Sequence, residues 1–106
     1  MNAGEVRKKV FLGLWQVLYN RPEQKRNMRP VQMLDIQRVT DIPAKDILNA
    51  VRFLHRHGLI SKAKEGYGWW PYYKIKEVED GCWEHGSFGM YDKQGWPLCP
   101  KCRKEM

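Results

Sequence analysis

Four residues near the end of the chain carry the chemistry of a soft metal. They are Cys82 and His85, spaced Cys-x2-His, and Cys99 and Cys102, spaced Cys-x2-Cys, with thirteen residues between the pairs. A two-residue spacer lets a tight turn aim both donors at one ion, and two such turns complete a tetrahedral Cys3His set. Gly86 after the first pair and Pro100 inside the second are residues that favour turns. Four protein ligands close the coordination sphere, so the chemistry expected is a structural Zn2+ and not a catalytic one; iron is the secondary choice. A disulfide reading is weak because three cysteines leave one over and nothing in the sequence points to secretion. A redox reading of Cys99-Pro-Lys-Cys102 lacks the βαβ context such motifs use. Zinc binding worth ~10–16 kcal/mol in comparable peptides would fold a tail that has almost no core of its own.

A second constellation lies between Ala44 and His57. If that stretch is helical, Lys45, Asn49, Arg52 and Arg56 recur at i, i+4, i+7 and i+11 and share one face. Arginine or lysine reads guanine and asparagine reads adenine in the major groove, so Lys45, Asn49 and Arg52 have base-reading chemistry. A solvated surface face is the plain alternative, but mixed Glu and Lys would be commoner there. Asp46 is the single acid of the segment and sits in the first turn, where the helix dipole favours it. His55 and His57 near the far end are adequately explained by the opposite end of that dipole.

Charge follows the same division. Residues 1–76 hold 15 Lys/Arg against 6 Asp/Glu, a surplus of +9, whereas residues 77–106 hold 4 against 6, a balance of −2. A basic surplus confined to the segment with a base-reading pattern is the footprint expected of a nucleic-acid partner. There is no Gly-rich phosphate loop, nucleophile elbow, paired acid/base constellation or zinc-deaminase signature, so no enzyme is expected. No apolar run approaches the ~20 residues of a membrane span, and the basic start followed by an interrupted apolar stripe is not a secretory signal. The expected location is cytoplasmic (nucleoid-associated) or nuclear.

The elements that must position these groups are legible from periodicity. Val6, Val10, Leu14 and Leu18, with Phe11 and Trp15 beside them, make an apolar stripe over a first helix at 5–20; Gly13 is a mild weakness of about 1 kcal/mol within it. Residues 20–30 read as a basic loop, either a solvated linker or a phosphate-touching segment. A second helix begins with Pro30 in its first turn and turns Val31, Leu34 and Val39 to the core. Asp41-Ile42-Pro43 makes a turn with Ile42 as its buried pivot. The third helix buries Ile47, Ala50, Val51 and Leu54. Gly58 then fits a left-handed C-cap, with Leu59 folding back. Strands at 60–65 and 69–76 flank Gly66-Tyr67-Gly68. The second strand is rich in aromatics: Trp69, Pro71 and Tyr73 fall on one side, Trp70 and Tyr72 on the other. One set packs on the core. The other packs between modules, stacks on a base or sugar, or meets a second copy, and packing is the favoured reading. Trp83 and Trp96 fit an apolar cover beside the metal ligands. A chain of 106 residues buries only about two-thirds of its unfolded surface, which makes an added staple such as a metal expected.

Two helices joined by a three-residue turn, a Gly58-Leu59-Ile60 step and a basic hairpin resemble the winged helix-turn-helix superfamily over residues 5–76. The Cys/His pairs resemble a zinc ribbon, with His85 where the commonest ribbons have cysteine, and with a tail after Cys102 that points to a minimal knuckle pair. The expected fold is therefore α+β: a three-helix winged helix-turn-helix with a β-hairpin wing over 1–78, then a small zinc-stapled module over 79–106. The resemblance implies double-stranded DNA as partner and transcriptional regulation as function. It places Lys45, Asn49 and Arg52 on bases and Arg56, Lys62, Lys64 and Arg29 on phosphates, with the zinc module buttressing the wing or adding a contact surface. The alternative function is a protein-interaction adaptor that docks on RNA polymerase or on a replication or repair complex, using the aromatic wing or the zinc module. Single-stranded nucleic acid ranks third. Both monomers and dimers suit this fold.

Overall fold

The structure is a computed structural model that describes residues 2–64, 68–78, 82–84 and 86. Among these the chain forms a small α+β fold of three helices and a two-stranded antiparallel hairpin. The order is α1 (Ala3–Asn20), α2 (Met33–Thr40), α3 (Ala44–Arg56), β1 (Ile60–Lys62) and β2 (Trp69–Pro71), followed by the single turn α4 (Ile75–Val78). α1 starts where Asn2 Oδ1 accepts from the Glu5 amide at 2.8 Å, satisfying one of the first-turn donors. Its stripe of Val10, Phe11, Leu14, Val17 and Leu18 is buried and packs on α2 and α3.

Helix α2 begins three residues later than the Pro30 start the sequence suggests. Val31 is extended instead: its N–H donates to Trp69 O and its carbonyl accepts from Trp69 N, both at 2.9 Å. An isolated pair of ladder bonds thereby sets the segment before α2 beside β2. The helix then opens at Met33, and Asp35 Oδ2 accepts from the Gln32 amide at 3.1 Å. With Val31 outside the helix, Leu34 loses the core-facing phase expected of it and is 62% exposed. Ile36 is the buried anchor, with Met33 and Val39 packed beside it.

Gly13, a weak helix former, is also a contact. A Cβ there would lie 2.7 Å from Thr40 Cγ2, so α1 and the end of α2 touch through the missing side chain. The three-residue turn comes out as expected, with Asp41 in the left-handed region (φ 59°) and Ile42 buried. The end of α3 is a Schellman motif: Leu59 N donates to Leu54 O at 2.9 Å, Gly58 N donates to His55 O at 3.1 Å, and Gly58 has φ 75°. Leu59 folds back into the core.

β1 and β2 pair with Lys62 opposite Trp69 and Ile60 opposite Pro71. The second strand is shorter than the expected 69–76. Pro71 has no N–H to extend a ladder, the Tyr72 and Tyr73 amides both turn to Leu59 O, and Ile75 opens α4, which buries Val78. Beyond it, Trp83 enters the same core and lies against Phe11, with ring centroids 5.5 Å apart.

Candidate nucleic-acid interface

Lys45, Asn49, Arg52 and Arg56 are all exposed along α3, opposite the buried Ile47, Ala50, Val51 and Leu54. Among the described residues none of the four has a hydrogen-bond or ion-pair partner, so the face is chemically available. Phe53, which the sequence reading left out of the core, is 94% buried on the flank toward α1. Its ring carries the Arg7 guanidinium, 3.7 Å from the centroid.

The face has two flanks of different character. On the α1 side Asp46, Asn49 and Ala50 share a groove of about 280 Å³ with Ala3, Val6 and Arg7. On the hairpin side Leu48, Val51, Arg52 and His55 share one of about 270 Å³ with Lys62 and Trp69. Asn49 and Arg52 thus belong to one face but lean toward different neighbours. Trp69 is half-buried and packs against the core, while its outer part lines this second groove directly across the ladder from Lys62. Trp70 is also half-buried and packed against the core, so both aromatic sets of the hairpin contribute to packing.

Lys62 and Lys64 are exposed on and just beyond β1. Arg29 is exposed in the loop that leads, through Val31, onto the edge of β2. That loop is organised by Arg21, which the sequence shows only as one of the loop's cations. Arg21 donates from Nη1 to the carbonyls of Arg26 and Arg29 and from Nη2 to Pro30 O, and lies 4.0 Å from Asp35. Burial and then the like charge of Arg29 push the Arg21 guanidinium below its ordinary pKa, with Asp35 opposing. The loop is therefore a folded basic shelf and not a plain linker; Arg21, Pro22, Lys25, Met28 and Arg29 bound a concavity of about 550 Å³.

Of the expected metal ligands only Cys82 is described; His85, Cys99 and Cys102 lie outside the described residues, as does Trp96. Cys82 is half-buried, and its carbonyl accepts from Gly86 N at 2.8 Å. Among the described residues no group of three His, Cys, Asp or Glu side chains converges on one point. The described part of this segment packs on the helices. Arg7 Nη1 donates to Trp83 O at 3.0 Å and Glu84 O at 2.7 Å, and a Cβ at Gly86 would meet the His57 imidazole. Burial, then the like charge of Arg56, push the Arg7 guanidinium below its ordinary pKa, with Glu84 opposing. Arg7 is the second residue that periodicity could not single out. On α1 it reads as one of three consecutive cations, and only the packing of α1 on α3 shows its task.

Comparison with protein-family models, curated proteins and solved structures finds no match to this chain. Among the described residues no helix is long and apolar enough to cross a membrane.

Proposed function

We propose that this chain is a winged helix-turn-helix protein that binds double-stranded DNA and regulates transcription from the nucleoid or nucleus. In this reading α3 enters the major groove with Lys45, Asn49 and Arg52 toward the bases, while Arg56, Lys62, Lys64 and Arg29 hold phosphates. The observation that carries it is the outward Lys-Asn-Arg-Arg face of α3, left free by a three-residue turn from α2 and flanked by a basic hairpin. The Val31–Trp69 bridge supports the reading too, because it sets a third extended segment against the hairpin, the arrangement a wing needs at its base. The donor set Cys82, His85, Cys99 and Cys102 suits one structural zinc by its chemistry. That zinc would staple a segment whose start is held on α1 and α3 through Arg7 and Trp83.

The test is selection of a randomised duplex library by the zinc-loaded protein at near-physiological salt. Enrichment of a defined motif of a few base pairs is expected, and retention of nothing would sink the reading. A second reading, a protein-interaction adaptor, is favoured by a separate observation. Tyr19 (60% exposed) stacks on Trp15, whose indole N–H donates to Tyr73 O at 2.9 Å, and Tyr72 is 71% exposed beside Tyr73. An aromatic patch of this kind suits a protein partner. Reversing charge at Lys45 and Arg52 separates the two: it abolishes duplex binding under the first reading and spares partner capture under the second.

A further inference from the structure

Arg52 and Trp69 are far apart in the sequence, yet they line one groove together with Lys62. The groove has an apolar floor of Leu48, Val51 and the outer part of Trp69. Cations stand at Arg52 on α3 and at Lys62 on β1, with His55 one turn along the helix from Arg52. Among the described residues no carboxylate lines it, whereas the groove on the other flank of α3 contains Asp46. The two flanks therefore select differently. The Asp46 side sets one carboxylate against the Arg7 guanidinium, carries no surplus of positive charge for a phosphate, and leaves Asn49 to hydrogen-bond a base edge. The Trp69 side attracts one.

An indole that is packed on one side and open on the other offers a flat apolar surface to a sugar or base. Two cations carried by separate elements in the groove with that surface suit the charge that alternates with sugar along a nucleic-acid strand. Among the described residues Arg52 makes no hydrogen bond or ion pair, which leaves its guanidinium available to a ligand.

We infer that the groove between α3 and the hairpin is a sugar–phosphate anchor: one phosphate of the bound strand sits between Arg52 and Lys62, with its deoxyribose on Trp69. The inference rests on the duplex-DNA reading and changes one assignment within it. Arg52 becomes a backbone contact, and base reading falls to Lys45 and Asn49. Register on the duplex is then fixed by a junction of two elements rather than by α3 alone.

The test uses the full zinc-loaded chain and one duplex recovered by selection, with every single-base variant of that duplex, titrated at several salt concentrations. R52A and K62A should each weaken all the duplexes alike, by roughly tenfold, and flatten the log–log salt slope by about 1, with the order of preference unchanged. N49A should instead lose discrimination at one base pair. W69L should weaken binding several-fold with the salt slope unaltered, and W69F should restore most of it. Because Trp69 also packs on the core, melting curves of both Trp69 variants accompany the titrations, and the surface variant R52A decides the matter if W69L unfolds. If R52A relaxes preference at one base pair and leaves the slope alone, Arg52 reads a base and the inference is overturned. If wild-type protein binds but R52A and K62A match it within twofold at all salts, the strand does not use this groove, and the inference falls while the duplex reading stands. If the wild-type protein binds no duplex, both fall together.

Discussion

Arg7 shows how much one side chain can do when three segments meet at it. Its guanidinium donates to two carbonyls of the segment after α4 and covers the Phe53 ring of α3, while its backbone belongs to α1. Hydrogen bonds from a charged donor are worth about 1.5–3 kcal/mol and a partly exposed cation–π contact about 0.5–1 kcal/mol, before the screening that partial exposure brings. R7A should therefore lower stability by about 1–3 kcal/mol, read as a fall in the urea midpoint with unchanged slope. R7K should recover only part of the loss, because an ammonium cannot cover a ring and reach two carbonyls with one planar fork. Equal stability of R7A and wild type would mean that the Trp83–Glu84 segment is not held through this residue. Arg21 plays the matching part at the other end of α1, where it gathers three carbonyls of the basic loop.

At the scale of elements, the angle at which the helices meet depends on small features with measurable consequences. Replacing Gly13 by alanine would raise helix propensity by about 1 kcal/mol in an isolated helix. Here the new methyl would press on Thr40 Cγ2, and that side chain cannot swing aside freely. Its hydroxyl donates to Ile36 O at 2.6 Å and accepts from Ile42 N at 3.4 Å. Overpacking costs about 1–3 kcal/mol, so G13A should destabilise the fold and lower its melting temperature; a rise would show that α1 and α2 do not touch there. Gly58 is the complementary case. A Cβ there meets nothing within 4 Å, so G58A carries only the backbone penalty of a left-handed residue, about 1–2 kcal/mol. The two substitutions, equal in name, thus test different physics: contact at one site and dihedral preference at the other. A solved structure of G58A should show α3 unmoved, and one of G13A should show α2 displaced.

The whole molecule is a basic three-helix body whose C-terminal part begins on its own core. Val78 and Trp83 are buried with Phe11, so what happens to the Cys/His segment is felt at α1. If one zinc holds Cys82, His85, Cys99 and Cys102, the purified chain should carry one metal ion, and C99S and C102S should carry less. Chelation should then lower the melting temperature by several degrees, because a ligand bound only to the folded state stabilises it by mass action. Absence of metal from the protein purified with zinc, together with a melt indifferent to chelator, would remove zinc from the account.

Local patterns in the chain determined the three long helices and the buried faces of α1 and α3. The stripe of α1, the turn at Asp41–Pro43, the four polar residues outward on α3 and the Gly58 cap are each written within about ten residues, at the range where periodicity and turn chemistry act. Most of what failed depended on a distant partner. Val31 left α2 because Trp69 supplies both of its hydrogen bonds, and Leu34 went to the surface with that change. Gly13 became a contact because Thr40 crosses it. Arg7 became a clamp because Phe53 and Glu84 arrive beside it. The shared α3 face was given two unlike flanks by which neighbour, α1 or the hairpin, each side meets. Periodicity reports which way a residue points. It carries no information about what stands opposite, and that choice is made only when the elements pack.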